Sequence, residues 1–311
     1  MTADAQDRYA PRPARAARRT PRPIRARAWA AATAVLAAAA LGVLAGCMSQ
    51  GSGAGSSPGA ITLPRGGIIW LLSRGALGEI LADPAVRAGL DGSRIYEILQ
   101  PGQEPLPGVD AAPVVAFPSA TEMDRVLSSG GLPAGTRAVL YDPEAWSFTP
   151  AAEQRDPVQA ATRAAGLAHA RGLELIVAPA LNLAPVLAPG RTTPRWQQFL
   201  DLRLAAKLAK VADMIELQAQ SLERDSATYA AFVREAAGQA RAAQPGITVL
   251  AGLSTNPPGA VVASQQLVAA IRASRPAVDG YWLNIPSPGP RCPTCNEKRP
   301  DVGIAALQAV L

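Results

Sequence analysis

Histidine is nearly absent from this chain: of 311 residues, only His169 carries an imidazole. It lies in Ala-His-Ala-Arg-Gly near a helix end, where it complements the helix dipole and meets solvent. A Ser-His-Asp triad and a histidine metal site are therefore excluded. There is no Gly-x-Ser-x-Gly elbow and no Walker loop. A carboxylate-bound Mg²⁺ or Ca²⁺ has no signature here, so no metal and no cofactor is expected. The folded part also lacks net charge. The formal charge is +6, but Arg8, Arg12, Arg15, Arg18, Arg19, Arg22, Arg25 and Arg27, against Asp4 and Asp7, carry all of it. A neutral remainder has no long-range pull on phosphates, which excludes nucleic acid as a partner.

What is present begins with export. The basic segment is followed by Ala28–Gly46, which holds no charge, the n-region and h-region pattern of a secretory signal. Its length could also span a bilayer as an uncleaved anchor. The ending Leu44-Ala45-Gly46-Cys47 resembles the lipobox of bacterial lipoproteins. That resemblance implies cleavage after residue 46, lipidation of Cys47, and a protein held on the extracytoplasmic face of the cell membrane. Arg18-Arg19 could form a twin-arginine signal, but Thr20-Pro21-Arg22 lacks the apolar continuation. Residues 47–60 include a Gly/Ser-rich run that cannot form a core and reads as a disordered tether. Residues 61–311 form the folded domain.

Within that domain short apolar runs alternate with helical patterns. Strands are expected at Ile68–Leu72, Arg94–Leu99, Val114–Phe117, Ala138–Tyr141, Leu173–Ala180, Met214–Ala219, Ile247–Leu253 and Gly280–Ile285. Helices are expected at Ala76–Leu90 (with a break at Pro84), Ala120–Ser128, Pro157–Arg171, Arg195–Val211, Ser226–Ala243, Ser264–Ser274 and Val302–Leu311. A Pro/Gly-rich stretch, Pro101–Pro113, stands where the second helix would be. No long repeat appears. The count is that of a (β/α)₈ TIM-type barrel. The alternative is a doubly wound sheet, which seldom needs eight strands and would place a Gly-rich nucleotide turn after the first.

Barrel sites lie at the C-terminal ends of strands. The fourth strand empties into Asp142 and Glu144, in phase with Leu140, with Trp146 just beyond. In the sixth strand Glu216, Gln218 and Gln220 share one phase and should face the barrel interior. Burying them is costly unless they are paired or meet a ligand. The fifth strand runs out to Asn182, the seventh to Ser254 and Asn256, and the eighth offers Trp282 and Asn284. Acids and amides around an aromatic floor suit a sugar; the bland alternative is that these groups satisfy one another and the top loops. Glu144 itself could cap the loop at Ser147 or pair with Arg155.

An Asp-x-Glu at the end of strand four, a polar strand six and a Trp on strand eight resemble the chitinase-type glycoside hydrolase barrels. The resemblance implies Glu144 as acid, Asp142 as the residue orienting an acetamido group, and Trp282 as the floor. That family's longer motif has acids where this chain has Arg137 and Leu140, and Pro143 separates the two acids here. Most of the chain after the signal also resembles an uncharacterised group of exported bacterial proteins, through Leu-Tyr-Asp-Pro-Glu-Ala-Trp-Ser-Phe-Thr-Pro (140–150), Glu-Leu-Gln-Ala-Gln (216–220), Ala-Gly-Leu-Ser-Thr-Asn-Pro (251–257) and Tyr-Trp-Leu-Asn-Ile-Pro (281–286).

Three functions remain open. The first is a surface-tethered glycoside hydrolase acting on a poly- or oligosaccharide through Glu144, Asp142 and Glu216. The second is a non-catalytic lipoprotein binding carbohydrate or cell envelope. The third is an enzyme for another neutral, hydroxylated ligand. Cys292 and Cys295, in an oxidising setting, are expected to form a local disulfide beside the cup. Half a zinc knuckle is the alternative, though the other two usual ligands are missing.

Overall fold

The computed structural model describes residues 67–257 and 260–311. The signal segment, the lipidation site Cys47 and the tether lie outside the described residues. Eight parallel strands close into a barrel in simple sequence order. They are β1 (Ile69–Ser73), β2 (Arg94–Leu99), β3 (Ala112–Phe117), β4 (Ala138–Tyr141), β5 (Glu174–Val177), β6 (Met214–Leu217), β7 (Thr248–Ser254) and β8 (Gly280–Asn284). This is the (β/α)₈ architecture that the alternation predicts.

Strand alternation divides the apolar residues into two shells. Leu71, Tyr96, Ile98, Val114, Leu140, Ile176, Met214 and Leu250 fill the barrel interior. Their neighbours Trp70, Leu72, Leu99, Val115, Tyr141, Val177, Ile215 and Val249 face the helices. Each such fully buried large side chain contributes about 1.5–3 kcal/mol through removal from water. The barrel closes between β1 and β8, where Ile69 pairs with Gly280. A Cβ at position 280 would collide with the carbonyl oxygen of Ile69, so only glycine lets the seam shut.

Several outer helices start where capping chemistry puts them. Ser119 accepts from the Glu122 N–H at the head of Ala120–Ser128, and Asp156 accepts from Gln159 ahead of Pro157–His169. Asp225 caps Ser226–Ala243. The expected helix 76–90 is two, Arg74–Ile80 and Pro84–Gly89, divided by Asp83 and Pro84, with Asp83 accepting from Val86. The expected long helix 195–211 also divides, into Arg195–Asp201 and Leu204–Ala209. Arg203 between them has φ 52°, a left-handed conformation that interrupts the helical ladder. Two short helices, Ala151–Arg155 and Ala184–Leu187, were not expected. Both are too short for periodicity to show. Pro101–Pro113 forms no helix, as its composition implied.

Candidate functional site

A cleft of about 1180 Å³ opens at the C-terminal mouth of the barrel. Its lining includes Asp142, Glu144, Trp146, Asn182, Gln218, Gln220, Ser254, Trp282 and Asn284. Glu216 lies beneath rather than on that surface. Of the residues expected in the cup, Asn256 is the one turned elsewhere.

Asp142 follows β4 and is in phase with the interior residues Ala138 and Leu140, so it crowns the barrel. Gln218 donates from Nε2 to Asp142 Oδ1 and to the carbonyl of Ala178, the latter at 2.8 Å. That pair joins residues 76 apart in sequence. Glu144 is half-buried in the same wall. Its Oε2 accepts from Asn182 Nδ2 at 3.2 Å, and Asn182 Oδ1 accepts from the Ala145 N–H at 2.8 Å. The amide thus grips the acid and the backbone behind it. Thr149 holds the loop from the other side: its hydroxyl oxygen receives the Glu144 N–H at 3.2 Å and Trp146 Nε1 at 2.8 Å. Glu144 makes no side-chain bond to Ser147 or Arg155, so neither structural alternative is realised.

Glu216 has no solvent exposure, and neither of its carboxyl oxygens has a hydrogen-bond partner among the described residues. Trp282 Nε1 is likewise buried and unpartnered. Room for Glu216 comes from Gly252 on β7. A Cβ there would meet Glu216 Oε1 and the Gln220 amide at 2.6 Å. Glycine at this position keeps a polar pocket inside an otherwise apolar barrel.

All three acids have raised proton affinity, with burial as the largest cause of each. Burial pushes Asp142 well above the usual carboxylate range, and the neighbouring Glu144 adds to it. Burial raises Glu144, opposed by its hydrogen bond from Asn182. Burial also pushes Glu216 well above the usual carboxylate range, and the charges of Asp142 and Glu144 add to it. Such a cluster keeps a proton where isolated carboxyls would have lost theirs.

Asn256 serves the wall of the cleft. Its Nδ2 donates to the Glu297 carbonyl at 3.0 Å, and its Oδ1 accepts from the Asn296 N–H at 3.4 Å. It therefore fastens the loop after β8, in which Cys292 and Cys295 are joined by a disulfide. Alternation along β7 does not carry past Ser254, where the strand ends. His169 ends its helix as expected and faces Asp213, with Nε2 2.8 Å from Oδ2.

The structure adds lining residues that sequence reasoning did not name: Phe148, Arg195, Trp196, Arg291 and Lys298. They belong to loops and to a helix start, where no strand phase points to them. Phe148 had one signal, an exposed aromatic two residues past Trp146. Among the described residues no group of His, Cys, Asp or Glu is arranged to hold a metal ion.

No family model matches the chain. No curated protein matches it either. Among solved structures it is similar to a class V chitinase from Pseudomonas fluorescens, at 10% identity over 79% of this chain and 100% of that one, with a TM-score of 0.44. A chitinase from Chromobacterium violaceum gives 12% identity, 79% and 99% coverage and a TM-score of 0.42. Triosephosphate isomerase from Bartonella henselae gives 14% identity, 70% and 92% coverage and a TM-score of 0.40.

Proposed function

We propose that this protein is a glycoside-hydrolase-like lipoprotein acting on a poly- or oligosaccharide, anchored through lipid on Cys47 at the extracytoplasmic face of the cell membrane. The observation that carries the reading is Glu144. It is a half-buried acid of raised proton affinity on the wall of an open cleft, beside a second acid, and Trp146, Trp196 and Trp282 line the same cleft. Glycosidic cleavage needs a carboxylic acid still protonated near neutral pH to protonate the leaving oxygen. Burial shifts Glu144 in that direction, against the opposing hydrogen bond from Asn182. When Glu144 gives up that proton the negative charge stays on its own carboxylate, where Asn182 Nδ2 donates to it, while Gln218 holds Asp142 alongside. Trp146 and Trp282 offer apolar faces to a sugar ring, and Asn182, Gln218, Gln220 and Asn284 suit its hydroxyls.

Incubation with a panel of envelope and plant polysaccharides tests this. Wild type should release reducing ends from at least one of them, and Glu144→Gln should bind the same polymer without cleaving it. Binding without release by wild type would favour a carbohydrate-binding protein on the same scaffold. The anchor has its own check: intact mass of the membrane fraction should show Cys47 as a lipidated N-terminus, and an unmodified Cys47 would remove it.

A further inference from the structure

Two guanidinium groups on the cleft have no acidic partner. Arg195 starts the helix Arg195–Asp201, and Arg291 lies in the loop after β8; both line the cleft and are exposed. Among the described residues neither forms an ion pair or donates a side-chain hydrogen bond. The third cation of the rim, Lys298, is already taken by Glu79 at 2.6 Å.

Arg291 is set in place by its surroundings. Gly289 and Cys292 exchange backbone hydrogen bonds of 3.3 and 2.9 Å around it. The disulfide to Cys295 and the clamp from Asn256 fix the chain beyond. The guanidinium lies over the ring of Phe148, 5.8 Å from its centroid. A guanidinium packed against an aromatic face keeps its N–H edge free in its own plane, the geometry that grips a carboxylate with two parallel hydrogen bonds. Its positive charge also reaches Asp142. The hydrogen bonds of the cleft acids go elsewhere: Asp142 accepts from Gln218 and Glu144 from Asn182, and neither arginine donates to them.

We infer that the cleft takes an anionic saccharide, one whose carboxylate or sulfate substituent is held by Arg291 and Arg195 while an adjoining sugar lies on the tryptophans. This rests on the reading of the cleft as a carbohydrate site, and it replaces the neutral ligand that overall charge suggested. A guanidinium can donate to a neutral hydroxyl, but a carboxylate or sulfate adds charge and can take two parallel hydrogen bonds.

The test uses pairs of oligosaccharides that share a backbone and differ in charge: oligogalacturonate with its methyl ester, glucuronate-bearing xylan fragments with their carboxyl-reduced form, and sulfated with unsulfated glucan fragments. Calorimetric titration of the full-length protein should favour an acidic member over its neutral twin by about ten- to hundredfold, the range of hydrogen bonds to charged groups. That preference should shrink with salt. Preference for a carboxylate or for a sulfate pair identifies the source of the charge. Arg195→Gln with Arg291→Gln should erase the preference without lowering the melting temperature, since both side chains are exposed. Equal binding of the twins, or a preference that survives the double variant, overturns the inference and leaves the carbohydrate reading standing. No binding by any member overturns both.

Discussion

Glu153 and the acids at the mouth of this barrel are treated oppositely. Glu153, 6% exposed between the sheet and the helices, is surrounded by donors. It receives the N–H groups of Ala120 and Thr121 at 2.9 and 3.1 Å, the hydroxyls of Thr121 and Tyr141 at 2.7 and 3.2 Å, and Arg163 at 2.8 Å. It ties the helix after β3 to the one after β4. Asp142, Glu144 and Glu216 instead face each other, with an amide or nothing for company. A carboxylate that meets donors on every side is a fastener. Carboxyls crowded together without donors cost stability, and that cost marks a site for chemistry or ligand.

Substitutions at the two sets should separate them. The largest effect is expected at Glu144. Glu144→Gln should lower turnover by about 10²–10⁴ while leaving the melting temperature close to wild type. A melting temperature that drops while turnover persists would move Glu144 to the fastener class. Glu153→Ala should do the reverse. Loss of this acceptor leaves its donors unpaired and should cost about 3 kcal/mol in urea unfolding, with activity per folded molecule unchanged.

A smaller contrast concerns two amides that look alike in sequence. Asn256→Ala removes two hydrogen bonds to the loop after β8, and should cost about 1–2 kcal/mol of stability. Asn182→Ala touches Glu144 directly and should raise the pH at which turnover falls off, because the hydrogen bond that lowers the Glu144 pKa is gone. A pH profile identical to wild type would exclude that coupling.

The smallest effect is expected at Glu216, and it depends on pH. Its proton is held more tightly in the folded than in the unfolded chain. The stability this gives is fully present below the unfolded carboxyl range and is lost as pH rises through the raised folded value. Glu216→Gln removes that loss. The variant should melt above wild type at pH 8, with the gap closing toward pH 4. A gap that is constant with pH would show that Glu216 is ionised throughout.

The barrel was legible because its signals are local. Periods of two and near four in hydrophobicity mark strands and helices, and capping residues mark helix starts; the expected bounds of β2, β4 and the helices at 120–128, 226–243 and 264–274 coincide with the structure. The break at Arg203 was not legible, since a residue's left-handed φ leaves no pattern in the chain. Alternation also placed Asp142, Gln218 and Trp282 toward the barrel axis, because the phase of a strand is set by its own sequence.

What lies across from what is another matter. That Gln218 reaches Asp142, that Gly252 makes the space for Glu216, that Asn256 turns to the loop while Asn182 grips Glu144, and that Arg291 comes to rest over Phe148 were decided by the folded molecule. Sequence alone determined the strands, their faces and which acids could stand at the mouth, since these follow from nearest-neighbour chemistry. Tertiary structure alone decided which of those acids would meet donors and which would meet each other, because barrel closure and the course of the loops join residues that the chain keeps far apart.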